Sequence, residues 1–158
     1  MLDLKNCFTY TFSAGTFADW HEAVTQAAIS ANIIDLGIAA ADDIVPSGGD
    51  SPLWLVVRTV TAFATTVSMG IKLITDSVLP VLDAATADDV LVSRFALAEL
   101  TANTLLINQP LPHFKYKKYL GIEYEPYTNA TAGTIMAYLT DGPEPAINAP
   151  ANTVEAGT

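Results

Sequence analysis

The chain has 158 residues, 51% of them hydrophobic and only 15% charged, a composition that supports one globular domain with a real core and excludes intrinsic disorder. Its 17 acidic and 7 basic residues leave a formal charge of −10, which repels nucleic acid and anionic lipid at long range, so neither nucleic acid nor membrane is expected among its partners. A lone cysteine, Cys7, excludes an intrachain disulfide. No basic region leads into an apolar run, and no apolar run nears the ~18 residues of a membrane helix; the expectation is a soluble protein made in a reducing cytoplasm.

In chain order, Cys7 falls in the alternating stretch Cys7-Phe8-Thr9-Tyr10 and suits a small buried or strand position. Residues 19–31 read either as an alanine-rich helix or as an irregular strand with its turn. Residues 32–37 are a short apolar run closed by Gly37. Residues 39–52 (AAADDIVPSGGDSP) predict a long, acidic, exposed and mobile loop. Residues 53–61 (LWLVVRTVT) are rich in β-branched and aromatic side chains and predict a strand. Residues 65–75 alternate, with Val67, Met69, Ile71 and Leu73 on one face and Ser68, Gly70 and Lys72 on the other. The short link Ala62-Phe63-Ala64 predicts that these two strands form an antiparallel hairpin.

Residues 84–90, with Asp88 and Asp89, suit one helical turn. Residues 91–97 and 104–109 predict two further strands. Residues 119–125 alternate again, Leu120, Ile122 and Tyr124 opposing Tyr119, Glu123 and Glu125; so do residues 133–141, Ile135, Ala137 and Leu139 opposing Met136, Tyr138 and Thr140. Residues 126–133 between them form a turn-rich loop. The tail from Gly142 (GPEPAINAPANTVEAGT) has too few bulky side chains to bury a face and predicts an extended or disordered arm. Seven or eight short strands without a strand–helix–strand rhythm point to an all-β sandwich, jelly roll or small barrel over residues 1–141, followed by the arm at 142–158.

Motifs for chemistry are sparse. His21, in Asp19-Trp20-His21-Glu22, reads as part of a polar surface cluster, and His113 sits in a proline-bounded turn; neither accompanies a nucleophile elbow. One cysteine and two distant histidines are too few for a zinc site. Asp42, Asp43 and Asp50 lack the spacing of a calcium loop and read as a solvated acidic segment, as do Asp88 and Asp89. Gly48-Gly49 lacks the lysine of a phosphate loop. No catalytic, cofactor-binding or metal residues are therefore assigned, and the expectation is a protein that is not an enzyme and needs no cofactor. Residues 113–119 (HFKYKKY) hold three of the seven basic residues among aromatics, a pattern that binds single strands of nucleic acid in other settings. In a chain of this acidity a strand-entry face or an ionic contact is the expected role.

Five stretches in fixed order carry a resemblance: residues 31–37 (ANIIDLG), 52–57 (PLWLVV), 105–112 (LLINQPLP), 118–124 (KYLGIEY) and 131–137 (TAGTIMA). On these, between about residues 30 and 140, the chain resembles the Bbp16-type capsid cement proteins of tailed bacteriophages. Residues 19–28 and the tail after Gly142 lie outside the resemblance. It implies a jelly-roll β-sandwich of about eight strands on the outside of the assembled phage head, a virion decoration protein that locks major capsid protein subunits together. It implies no enzymatic role and no cofactor. Self-association as a homodimer or homotrimer is expected on a symmetric shell. Residues 39–52 and 142–158 are the candidate contact elements. The alternative is a carbohydrate-binding β-sandwich or phage adhesin, for which Trp20, Trp54, Tyr116, Tyr119, Tyr127 and Tyr138 are the available aromatic platforms.

Overall fold

Period-two alternation places apolar side chains on one face of each long strand, and two such faces close on each other. The structure, a computed structural model, describes residues 6–13, 16–37, 42–44, 52–78 and 87–144. Its strands are β1 (Thr11–Ser13), β2 (Thr16–Asp19), β3 (Glu22–Ala23), β4 (Ala28–Ile29), β5 (Ile34–Asp35), β6 (Asp42–Ile44) and β7 (Trp54–Ala64). They continue as β8 (Ser68–Asp76), β9 (Asp88–Ala96), β10 (Leu105–Pro110), β11 (Phe114–Tyr116), β12 (Tyr119–Pro126) and β13 (Ala132–Thr140).

One antiparallel sheet has the order β10-β7-β13-β3; the other has the order β4-β12-β8-β9, with β5 also on β12. Strands that follow one another in the chain, β3 and β4, β7 and β8, β9 and β10, β12 and β13, fall in opposite sheets at matching positions. That winding, two interlocked Greek keys of eight strands, is a jelly roll. Two ribbons, β1–β2 and β6–β11, are appended.

The core lies between the sheets. Leu55, Val57, Ile107, Ile135, Ala137 and Leu139 from one sheet meet Met69, Ile71, Leu73, Leu120, Ile122 and Tyr124 from the other. The faces assigned to β12 and β13 by alternation hold. On β8, Met69, Ile71 and Leu73 are buried as expected, but Val67 precedes the strand and is 61% exposed. Tyr138, assigned to the outer face of β13, is buried all the same. It belongs to a second cluster with Cys7 and Val56, packed against Tyr10, Trp20 and Met136 on the far side of that sheet.

The expected hairpin of residues 53–61 with 65–75 does not form. β7 runs on through Ala62-Phe63-Ala64, its neighbours are β10 and β13, and β8 pairs with β9 and β12. The chain instead turns a corner from one sheet to the other at Thr65, whose φ is 68°. The Thr65 hydroxyl donates to the Ala64 carbonyl at 2.7 Å and the Thr128 hydroxyl donates to the Thr65 carbonyl at 3.1 Å, so side-chain bonds hold a β-branched residue where it is rarely found. A short link is compatible with a hairpin or with a sheet-to-sheet corner, and burial of both strands selects the corner.

Residues 19–31 take the irregular-strand form, not the helix: β3 pairs with β13, a turn follows, and β4 pairs with β12. Asp88, Asp89 and Val90 begin β9 rather than a helical turn; the first residues of the 84–90 expectation lie outside the described set. Residues 39–52 were expected to be a loop, but Asp42–Ile44 is strand β6, paired with β11. Of the rest of that segment, only Pro52 is among the described residues. Of the tail, only Gly142 to Glu144 are described.

Candidate functional site

The two sides of the sandwich are built differently. On one side, short edge strands are sealed by the N-terminal segment. Cys7 bridges to Tyr138 beside β3, the Phe8 amide donates to the Ala137 carbonyl at 2.9 Å, and the Asn32 amide donates to the Phe8 carbonyl at 2.8 Å. On the other side the sheets end in β9 and β10, and among the described residues no strand pairs with either outer edge.

Exposed apolar side chains gather on the sheet that contains β9. Val67, Leu97 and Tyr127 are 61%, 37% and 72% exposed. They sit at one end of three neighbouring strands: the Leu97 amide donates to the Val67 carbonyl at 3.1 Å and the Tyr127 amide donates to the Ser68 carbonyl at 2.9 Å. Val92, midway along β9, is 59% exposed. The outer face beside them carries an ion-pair ladder in which Lys72 Nζ reaches Glu123 at 3.2 Å and Glu125 at 2.6 Å. Arg94 reaches Glu125 at 3.9 Å. Between the ends of β9 and β10 a shallow cleft of about 310 Å³ is lined by Phe95, Ala98, Glu99, Thr101, Thr104, Leu105 and Leu106. The outer face of the other sheet is occupied: Trp20 and Tyr10 pack on it. The start of the tail also docks there, the Asn108 side chain exchanging hydrogen bonds of 2.8 and 3.1 Å with the Glu144 backbone.

The basic segment 113–119 is tied into the fold. β11 pairs with β6 so that Lys115 stands opposite Asp43 and Tyr116 opposite Asp42, bringing the basic and acidic stretches into one ribbon. Tyr116 is fully buried, donates to the Pro112 carbonyl at 2.8 Å and meets Phe114 edge to face at 5.8 Å. Lys117 pairs with Asp88 at 3.0 Å and Lys118 with Asp35 at 3.9 Å, Lys118 lying 5.0 Å from the Tyr119 ring centre. The aromatic side chain most central to a stacking platform is thus in the core, and the lysines have acidic neighbours.

His21 pairs with Asp19 at 2.9 Å, and His113 is exposed. Asp50, Gly48 and Gly49 lie outside the described residues. Among the described residues no group of three or more His, Cys, Asp or Glu side chains is placed to hold a metal ion, and no helix is long and apolar enough to cross a membrane. Of the six aromatic residues named as carbohydrate platforms, Tyr127 alone is largely exposed; Tyr116 and Tyr138 are buried and Trp20 packs on the Cys7 cluster.

Glu22 was read from sequence as part of a polar surface cluster, and the structure corrects this. Its Oε2 accepts the Ala31 amide at 2.7 Å, while Oε1 is buried facing the buried hydroxyl of Tyr124. Burial pushes the carboxyl up to about 7, against the lowering effect of the Ala31 amide. No local pattern could have revealed this, because Tyr124 comes from the opposite sheet.

Among the described residues the jelly roll thus has one side sealed by the N-terminal segment and another that ends in β9 and β10. The family model that describes Bbp16 matches residues 17–139, more than half of the chain. The chain belongs to the Bbp16 family and is a phage protein of that type. The match takes in residues 19–28, beyond the stretches that first carried the resemblance. No curated protein matches the chain at a significant level.

Proposed function

We propose that this protein is a capsid cement protein, a non-enzymatic decoration of the phage head that binds the outer surface of the assembled shell and bridges neighbouring major capsid protein subunits. The observation that carries the reading is the Bbp16 match across the whole jelly roll, from β2 to β13. The open β9–β10 side and the exposed Val67, Leu97 and Tyr127 supply surface for protein contact. A protein that binds only the assembled lattice stabilises it by mass action, and many copies multiply a modest contact. The chain acts in this reading as a homodimer or homotrimer, since closed symmetry suits a symmetric shell.

The test is to mix purified protein with expanded capsids that lack decoration. Co-sedimentation at a fixed stoichiometry, with a raised temperature of capsid disruption, is the expected result. Protein left wholly in the supernatant would refute the reading.

A further inference from the structure

The β9 edge has a pattern that fits its own copy. The strand spans nine residues, Asp88–Ala96, and its midpoint is Val92. Its beginning is acidic, with Asp88 paired to Lys117 and Asp89 exposed, and Arg94, 54% exposed at its side chain, stands near its end. An apolar midpoint between ends of opposite charge matches itself when the strand is reversed. Aligned antiparallel about a two-fold axis at Val92, each Val92 faces the other. Val90 bulges out of register and packs with Leu91 on the core side, so the acidic residue on the outer face with Val92 and Arg94 is Asp89. Arg94 then comes beside Asp89 of the second copy, within reach of a long side chain. The present partners of Arg94, Glu125 at 3.9 Å and the Ser68 hydroxyl at 3.3 Å, are weak surface contacts that a closer carboxylate can replace. A parallel alignment would bring like charges together instead.

We propose that β9 pairs antiparallel with β9 of a second copy, joining two β4-β12-β8-β9 sheets into one across a two-fold axis. This selects the dimer over the trimer, because antiparallel pairing of identical strands is isologous. Val90 has no partner on β8, where the register shifts between Leu73 and Ile74. This bulge bends the acidic end of the strand, so the contact is a short ladder centred on Val92. Charge chooses the occupant: two chains of −10 repel overall, and association needs a local patch where opposite signs meet. β9 provides it at both ends at once.

The experiment is Val92→Cys under mild oxidation of the full-length protein. Directly opposed residues of an antiparallel pair have Cα atoms about 4.5–5.5 Å apart, inside the range of a disulfide. Cys7 is buried and does not compete. Val78→Cys, at a 60% exposed position off the strand, is the control. The expected result is a covalent dimer from Val92→Cys and none from Val78→Cys. Sedimentation equilibrium should show the parent protein as a dimer and Arg94→Asp as at least tenfold weaker in association, with Asp89→Arg added to Arg94→Asp recovering most of the loss. A parent that stays monomeric at high concentration, a control that cross-links as readily, or an Arg94→Asp variant that associates unchanged would each overturn the proposal. The inference rests on the self-association in the preceding reading and not on the shell. Loss of capsid co-sedimentation with an intact dimer would refute the cement role alone, and a monomer that still decorates capsids would refute the β9 contact alone.

Discussion

At Glu22 a carboxyl is held half-buried, with one oxygen turned inward, and the chemistry of that residue sets a pH dependence for the whole domain. In the unfolded chain it titrates near its ordinary value of 4.5; in the fold burial raises it to about 7. The folded state therefore binds the proton more tightly. Stability from this group is full below pH 4.5, falls as pH rises from 4.5 to 7, and is flat above, a loss of roughly 3 kcal/mol at most. Glu22→Gln, neutral throughout, should remove that contribution, seen as a urea midpoint that falls less between pH 4.5 and 7 than the parent's. Gly133 makes a second single-residue demand. Its φ is 134°, and a Cβ there would come within 2.3 Å of the Phe63 ring. Gly133→Ala must both strain the backbone and displace a core ring, and should lower stability by about 3 kcal/mol in chemical denaturation. Neither demand could be read from sequence. The motif around Gly133 looked like a turn, and Glu22 looked like part of a surface cluster, because each depends on a residue distant in the chain.

Among the elements, alternation made the long strands legible. β12 and β13 showed their inward faces plainly, since each buries one face against the core and period-two patterning is then unambiguous. What alternation could not show is which strand sits beside which. β7 and β8 are joined by a short link, yet they belong to opposite sheets, and the decision is made at Thr65. Its hydroxyl bonds the Ala64 and Asn129 carbonyls, at 2.7 and 3.2 Å, and accepts the Thr131 amide at 3.0 Å, tying the β7–β8 corner to the loop before β13. Thr65→Val keeps the shape and the strained φ but loses these bonds. It should destabilise by about 2 kcal/mol, measured by thermal or urea unfolding, and speed hydrogen exchange at Thr131. The β6–β11 ribbon was hidden for a related reason. Residues 39–52 carry glycine, proline and aspartate in loop proportions, and Asp42–Ile44 becomes a strand only because β11 lies alongside it.

For the molecule as a whole, the winding of the jelly roll brings its first and last strands together, and residues ahead of the first strand complete the core. β3 opens the wound series and β13 closes it, the two side by side. Ahead of β3, Cys7 and Phe8 continue the same edge, Phe8 reaching the core between the sheets and Cys7 the cluster on the outer face. The Thr9 hydroxyl donates to the Trp20 carbonyl at 2.8 Å and accepts the Ala137 amide at 3.0 Å, so this segment is bonded on both sides. The family match begins only at residue 17, yet the fold depends on residues before it. From sequence, Cys7-Phe8-Thr9-Tyr10 showed alternation but not its neighbour, Ala137, far along the chain. Phe8→Ala would leave a cavity on the sealed side, next to Asn32, whose side-chain amide donates to the Cys7 carbonyl at 2.6 Å. The expected loss is about 4 kcal/mol, a large fraction of what a domain of this size has to spare. Because the segment seals one edge, the same variant should also expose the outer-face cluster of Val56 and Tyr138, detectable as binding of a hydrophobic dye before global unfolding. The β9 edge lies across the sandwich from this damage. Association through β9 should therefore persist in Phe8→Ala at temperatures where the domain remains folded, separating a defect in closing the fold from a defect in pairing it.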